Sequence, residues 1–520
     1  MFANHIRIHA TLLAITMVTP SACGAADPTE QDPPNVANNH APLWDGPCES
    51  NEVCRAARDA YVYGYPLMLM KYTKRALLSA PGGRINHFLH KIRRPSPSDQ
   101  AVVRPNEDTL YSIAFLDLSD GPQILDVPAV AADPTLPSRF YLLQLLDGWT
   151  TSMAGSPGTA NTGTDAQSFA IVGPNHSGTV EGVDATYRMA TNMVWILGRT
   201  RIKDGLQDHL DVLRIQRGYC LRSLTDFQNN DRSSCESNIT IADAGKGLLG
   251  LLSLSSDSPP EIVETMGMGR FLMELATLMA DNPAYDTDGE LLTRLEDVLG
   301  FVPGKPYLPS LSTLSAMQPA RVAALARMRG YAYSELGPVE AGWTLALNDI
   351  GTYGTNFLRR AAVSLVGFGA NLPEDGIYPT ASRDVDGRAL TSNQRYALHF
   401  AAGELPPVNT KVDGFWSVSL YNEQGYFIEN DQQRYAVHSW QLDQQAQDSV
   451  TIYIGCATPP SVDAPSGADP GFWLPAPVGD ERLQVTLRMY APDARALPPV
   501  NDDDELGWKP PGVELLGDCD

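Results

Sequence analysis

From about residue 100 to 245, apolar positions fall in short runs broken by Gly, Pro, Asp and Ser: TLYSIAFLDL, PQILDVP, RFYLLQLLD, SFAIVGP and MVWILGRTRI. Runs this short, rich in β-branched and aromatic residues, predict strands. In the first run both alternating sets are largely apolar, Leu110, Ala114 and Leu116 against Tyr111, Ile113 and Phe115. Such a strand is expected to be covered on both faces, as inside a sandwich.

The spacing changes on either side of this region. CESNEVCRAARDAYVYGYPLMLMKYTKRALL carries Ala57, Tyr61 and Tyr65 at i, i+4 intervals and predicts a helix, with Pro66 expected to kink or split it. Helical spacing returns in the middle of the chain, where Phe271, Leu275, Leu278 and Met279 share a face behind Pro260. The methionines there read as core packing. From about residue 378 strands resume with RYALHFAAG, GFWSVSLY, RYAVHSW, VTIYIGC and RLQVTLRMYAP. In the last run Leu483, Val485, Leu487 and Met489 point inward, and Gln484, Thr486, Arg488 and Tyr490 outward. In GFWSVSLY, Trp416, Val418 and Leu420 make the core face, and Phe415, Ser417, Ser419 and Tyr421 the other. SLYNEQGYFIEN holds a four-residue turn with Gly425.

The resulting fold class is mainly β with a helical middle region: two β-sandwich (jelly-roll-like) domains joined by helices. The expected divisions are a signal peptide over 1–22, a flexible tether over 23–47, and a helix plus β-sandwich domain over 48–245. A helical linker over 246–377, a C-terminal β-sandwich over 378–500 and a tail over 501–520 complete the chain.

Composition adds a compartment. The leader MFANHIRIHA carries Arg7 and no acid, and the apolar run TLLAITMV is too short to span a bilayer, which together read as an export signal. In TPSACGAAD two cleavage readings stand. Cys23 becomes a lipidated first residue, as in bacterial lipoproteins, or cleavage near Ala25-Ala26 removes it. Without Cys23 six cysteines remain, an even set suited to an oxidising compartment. Nearness along the chain suggests Cys48–Cys54, Cys220–Cys235 and Cys456–Cys519. The expectation is an exported, periplasmic protein anchored to the outer membrane as a lipoprotein, touching the membrane only through Cys23. The net charge of −23 argues against nucleic acid and against docking on anionic lipid, which need basic faces.

Familiar catalytic signatures are missing. There is no Gly-x-Ser-x-Gly elbow, His-Glu-x-x-His pair, phosphate-binding P-loop or dinucleotide fingerprint. No Cys-x-x-Cys pair occurs, and no metal is assigned. His87 and His90, three apart, read as surface polarity. Trp473 in FWLPAP reads as a lid on the second sandwich, and Asn430 and Arg434 as turn-satisfying residues.

Two landmarks remain, VVRPNEDTLYSIAFLDLSDGP and YLLQLLDGWTTSMAGSPGTANTGTDAQSFAIVGP. With Asn106, Asp108, Thr109, Leu110, Tyr111, Asp147, Thr162-Gly163-Thr164 and Gly173-Pro174, they resemble the bacterial family called domain of unknown function twelve-fifty-four. LPPVNTKVDGFWSVSLYNEQGYFIEN, QRYAVHS, FWLPAP and LQVTLRMYAP are similar to its usual companion, domain of unknown function twelve-fourteen. The pairing implies two sandwich units joined by helices and implies no reaction.

Pro105-Asn106-Glu107-Asp108 has a structural reading. Asn and Asp side chains bond to their own backbone in turns, and Pro fixes the entry. The functional reading puts Asp108, Asp147 and Glu107 in catalytic roles at an open sandwich rim, with Arg104, Asn106, Tyr111, Trp149 and Thr150 gripping substrate. Carboxylates, an amide and aromatic platforms suit a glycan or other polar envelope polymer. The functional expectation is a hydrolase working through a carboxylate pair; the alternative is a non-catalytic polymer-binding or scaffold protein. No cofactor is called for, with one variant: calcium held by Asp108, Asp147 and backbone carbonyls, since it takes oxygen ligands.

Overall fold

A computed structural model of the chain describes residues 48–98, 104–131, 139–236, 240–241, 258–442, 449–456, 472–477, 479–497 and 507–519. The expected signal peptide, tether and lipid-bearing Cys23 lie outside the described residues.

The long strand Thr109–Asp117 pairs antiparallel with Met193–Arg201, from Thr109 opposite Arg201 to Asp117 opposite Met193. On its other side, Met193–Arg201 pairs with Tyr141–Asp147. Leu89–His90 and Thr240–Ile241 complete a five-stranded sheet. A four-stranded sheet of Ala185–Arg188, Gln167–Val172, Gln123–Val127 and Cys220–Ser223 lies against it. Ala114, Leu116, Leu143, Leu145, Val194 and Ile196 meet Leu125, Phe169, Ile171 and Leu221 in the core between the two sheets.

The other alternating set, Ile113 and Phe115 with Trp195 and Leu197, joins a second core made with helices. Phe115 and Trp195 stack there at 5.7 Å. Both faces of the strand are therefore covered, one by a sheet and one by helices. Burying each such large apolar side chain contributes about 1.5–3 kcal/mol, so the central sheet is pinned from both sides.

The helical cover starts with Glu52–Ser79, whose first turn is capped by Asn51 accepting from the Cys54 amide at 3.1 Å. It ends at Ala80, whose extended backbone is what a residue before proline prefers. The helix runs unbroken through Pro66 instead of splitting. Tyr61, Tyr63, Tyr65, Leu67 and Met68 are all buried, so neighbours hold it on every side and outweigh the hydrogen bond that proline removes. At Gly64 a Cβ would lie 2.4 Å from a Leu275 methyl, so only glycine admits the crossing helix Met268–Leu278 this closely. Phe271 stacks on Tyr61 at 4.4 Å. Helices between residues 259 and 366 thus do more than link two sandwiches: with the first helix they form one apolar body. Met266, Met268, Met279, Met317 and Met328 are buried in it, as the packing reading expected.

The second sandwich sets a seven-stranded sheet, including Phe415–Asn422, Ala436–His438 and Leu483–Tyr490, against a four-stranded one of Trp473–Leu474, Val450–Ile454, Gln394–Phe400 and Val513–Asp518. Trp416, Val418, Leu420, Leu483, Val485, Leu487 and Met489 fill its core. The opposite face was expected to point outward, yet Ser417, Ser419, Tyr421, Thr486, Arg488 and Tyr490 are all buried. Ser417, Tyr421, Arg488 and Tyr490 bond to the Arg104–Asp108 segment of the first sandwich.

Disulfides join Cys48 to Cys54, Cys220 to Cys235 and Cys456 to Cys519. Trp473 is buried with its Nε1 donating to the Gly455 carbonyl, and Asn430 closes its own turn onto Ile428 and Arg434. The surface reading of the histidine pair fails for His90. It sits in a short strand, buried, with Nδ1 2.9 Å from Ser112 Oγ, and burial lowers its pKa to about 4. Among the described residues no helix is long and apolar enough to cross a membrane.

Candidate functional site

The Arg104–Asp108 turn is built locally as a turn and tied distantly as a latch. Asn106 Oδ1 accepts from the Asp108 amide at 2.8 Å, the self-bonding that asparagine supplies in turns. Its Nδ2 donates to Thr109 Oγ1 at 3.0 Å and to the Tyr490 hydroxyl of the second sandwich at 2.6 Å. Arg104 takes a left-handed conformation, φ 50°, with its amide donating to the Gly425 carbonyl and its Nη2 to Gln484 Oε1. Arg488 donates to the carbonyls of Arg104 and Pro105, and Tyr421 also donates to Pro105.

Asp108 is fully buried at the end of this turn. Strand register puts His438, Ser417 and Arg488 in one row across three neighbouring strands, because Ser417 pairs with both His438 and Arg488. Ser417 Oγ donates to Asp108 Oδ2 at 2.8 Å. His438 Nδ1 lies 2.9 Å from Oδ1, within ion-pair range but off the line of a good hydrogen bond. Burial alone would raise the Asp108 pKa; the contact and charge of His438, the Arg488 charge and the Ser417 bond together hold it below the usual carboxylate value. An ionised carboxylate deep inside a fold needs such a set of partners.

Asp147 is committed elsewhere. Its Oδ1 accepts from the amides of Trp149 and Thr151 at 2.9 and 3.0 Å, and its Oδ2 takes a short hydrogen bond from the Tyr285 hydroxyl. Burial raises its pKa to about 6, against the pull of the Tyr285 hydroxyl, the Thr151 and Trp149 amides and the Arg360 charge. Arg360 is buried among the rings of Tyr63, Trp149 and Phe357, 5.1–5.3 Å from their centroids.

The expected meeting of Asp108 with Asp147 does not occur. Thr109 pairs with Arg201, whereas Asp147 pairs with Val194 on that same strand. Seven residues at about 3.3 Å each put the two carboxylates roughly 20–25 Å apart, at opposite ends of the sheet. The pattern allowed either end because parallel alignment of the two strands about their shared neighbour is not readable from periodicity. The calcium variant, which needs both carboxylates around one ion, loses its geometry for the same reason. Trp149 and Thr150 are not rim residues either. Trp149 is a core residue donating Nε1 to the Pro283 carbonyl, and Thr150 is buried at φ 69° beside Ser364. Tyr111 is half-buried beneath the Arg199 guanidinium, 5.6 Å from its ring centroid. Asp126, Cys220 and Cys235 come together, but the cysteines form a disulfide and Asp126 pairs with Arg222 at 2.9 Å.

Glu107 is the one expected carboxylate near Asp108. Burial raises its pKa to about 7, reinforced by Asp108 and Asp204 and opposed by His438 and Arg94. The residues that sequence reasoning missed are His438, Ser417 and Arg488. Their signal was the polar set in GFWSVSLY, the arginine inside LQVTLRMY and the histidine of RYAVHSW.

Beside the latch lies a cleft of about 630 Å³ walled by the second sandwich, with Phe415, Trp416, Trp440, Pro406 and Pro407 among its residues, and Arg201 is its one lining residue from the first. Trp440 stacks on His438 at 4.3 Å with the ring planes nearly parallel, so the latch and the cleft share a wall. Arg201 reaches across to Asp413 at 2.6 Å and lies over the Phe415 and Trp440 rings.

Residues 85–223 match a family described as protein of unknown function (DUF1254), and residues 375–494 match a second described in the same words (DUF1214). The VPA0106 protein from Vibrio parahaemolyticus, 18% identical, aligns over 90% of this chain and all of its own with a TM-score of 0.62, which supports the fold alone. An uncharacterized protein from Burkholderia cenocepacia, 12% identical, covers 89% of this chain and 94% of its own at a TM-score of 0.36, too low to inform the comparison. No curated protein matches the sequence.

Proposed function

Since the chain carries a DUF1254 match followed by a DUF1214 match, we propose that it is an exported, non-catalytic envelope protein that holds a glycan or similar polar polymer in the cleft beside the latch. The supporting observation is the cleft wall, where the rings of Phe415, Trp416 and Trp440 stand with two prolines and Arg201. Phe415 and Trp416 are buried and shape the cleft floor, while the half-exposed Trp440 ring and the prolines offer the flat surfaces that pack against sugar rings. The buried carboxylates speak against the paired-carboxylate hydrolase, because Asp108 and Asp147 are far apart and each is engaged within the fold. Export rests on the leader pattern and fits the three disulfides, which persist in oxidising compartments. Globomycin-sensitive processing would support lipidation of Cys23 and outer-membrane anchoring; processing that ignores globomycin would favour release into the periplasm.

The test is calorimetry against cell-wall glycan fragments, repeated after overnight incubation with product analysis. The proposal expects heat of binding, weakened by Trp440→Ala, and no new products. Turnover of any fragment would overturn it. One observation favours a hydrolase as the second reading: Glu107, with its pKa raised to about 7, adjoins the Asp108–His438 pair. A carboxyl group near neutrality suits a general acid. In that case Glu107→Gln would abolish turnover without lowering the melting temperature.

A further inference from the structure

The charge inside the cleft is opposite in sign to the charge of the chain. Acidic residues outnumber basic ones 61 to 38, yet the cleft is lined by two arginines, Arg201 and Arg495, and by no aspartate or glutamate among the described residues. Acids stand behind these arginines and not in the wall. Asp413 holds Arg201 at 2.6 Å, and Asp493 approaches Arg495 at 3.4 Å. The Arg495–Asp493 pair is largely exposed, and such pairs bind weakly, so an arriving anion competes with it on favourable terms.

Hydrogen-bonding capacity is equally one-sided. Nε of Arg201 and Nε1 of Trp440 are buried in residues of the cleft wall and have no acceptor among the described residues. Both groups only donate. Those two atoms are buried, so the group that asks a ligand for acceptors and negative charge is the exposed Arg495 guanidinium, and the half-exposed Trp440 ring asks for a flat face.

Resting on the binding reading above, we infer that the cleft selects a carboxylate-bearing glycan, a polymer of uronic-acid type, over a neutral one. Arg495 meets the carboxylate from the solvent side, and the Trp440 ring, the half-exposed aromatic of the wall, receives the sugar face.

The experiment is calorimetry of the full chain with an oligogalacturonate and a neutral cello-oligosaccharide of equal length, at low and physiological salt. The uronide should bind at least about tenfold more tightly than the neutral chain, the size expected when one charge-assisted hydrogen bond is gained. Raising salt should weaken the uronide alone. Arg495→Ala, at an exposed position, should remove most of that preference without shifting the melting temperature, and Trp440→Phe should weaken uronide binding while keeping the ring. Equal binding of both sugars would overturn the inference and leave the binding reading standing. Uronide binding that survives Arg495→Ala unchanged would also overturn it. Binding of neither would remove the binding reading itself.

Discussion

Asp108 and Asp147 make an instructive pair. Both are buried aspartates at strand ends in the same sheet, Asp108 between its turn and the strand that follows, Asp147 between its strand and the turn that follows. Asp108 is surrounded by charge-bearing partners from the other sandwich, and its pKa falls despite burial. Asp147 is surrounded by neutral donors of its own turn and by a tyrosine hydroxyl, and burial lifts its pKa to about 6. Burial acts the same way on both; the partners decide the sign. One carboxylate joins two regions of the chain 300 residues apart, and the other caps its own loop.

The largest expected break in this comparison is Asp108→Ala. It leaves His438 and Arg488 facing a buried gap and should cost roughly 3–5 kcal/mol in denaturant unfolding. Asp147→Ala, which removes neutral-donor bonds and one distant charge, should cost less, about 1–3 kcal/mol. Equal losses would mean that the two corners do the same job.

Next in size is the pH profile. Asp108 has a lowered folded pKa, so its contribution is present above the ordinary carboxylate value and disappears as pH falls through the lowered one. Asp147 has a raised folded pKa, so its contribution is present below about 4 and is lost as pH rises through about 6. Melting temperatures between pH 4 and 6.5 should therefore decline less steeply in Asp147→Asn than in the parent, while Asp108→Asn should flatten only the acid limb. A pH effect of similar size belongs to Glu107→Gln. It should remove a fall in stability between pH 4.5 and 7, the window set by its raised pKa, and leave lower pH unchanged. A parent profile that is flat across that window would contradict the burial assigned to Glu107.

The sequence disclosed much of this architecture and little of its wiring. Alternation in TLYSIAFLDL told that both faces are covered, but not that one cover is helical, because periodicity assigns residues to a face without naming what lies on it. RLQVTLRMY likewise separated Leu483, Val485, Leu487 and Met489 from Arg488 and Tyr490 correctly. That the second set also ends up buried depends on the other sandwich docking there. Proline in the first helix misled, since the rule for an isolated helix yields to neighbours on every side. At the candidate site, the Asx turn at Asn106 was readable from local chemistry, whereas Ser417, His438 and Arg488 were not, being reached only through strand register. The aromatic cleft was hidden for a related reason: Trp416 faces a core and lines a seam at once.

The central claim is that Asp108 serves as an inter-sandwich latch. A double-mutant cycle between Asp108→Asn and His438→Gln, read by denaturant unfolding at pH 6, tests it most directly. The account predicts a coupling energy of about 1–3 kcal/mol, as contacting buried polar partners show. Additive losses, with no coupling between the two positions, would contradict it.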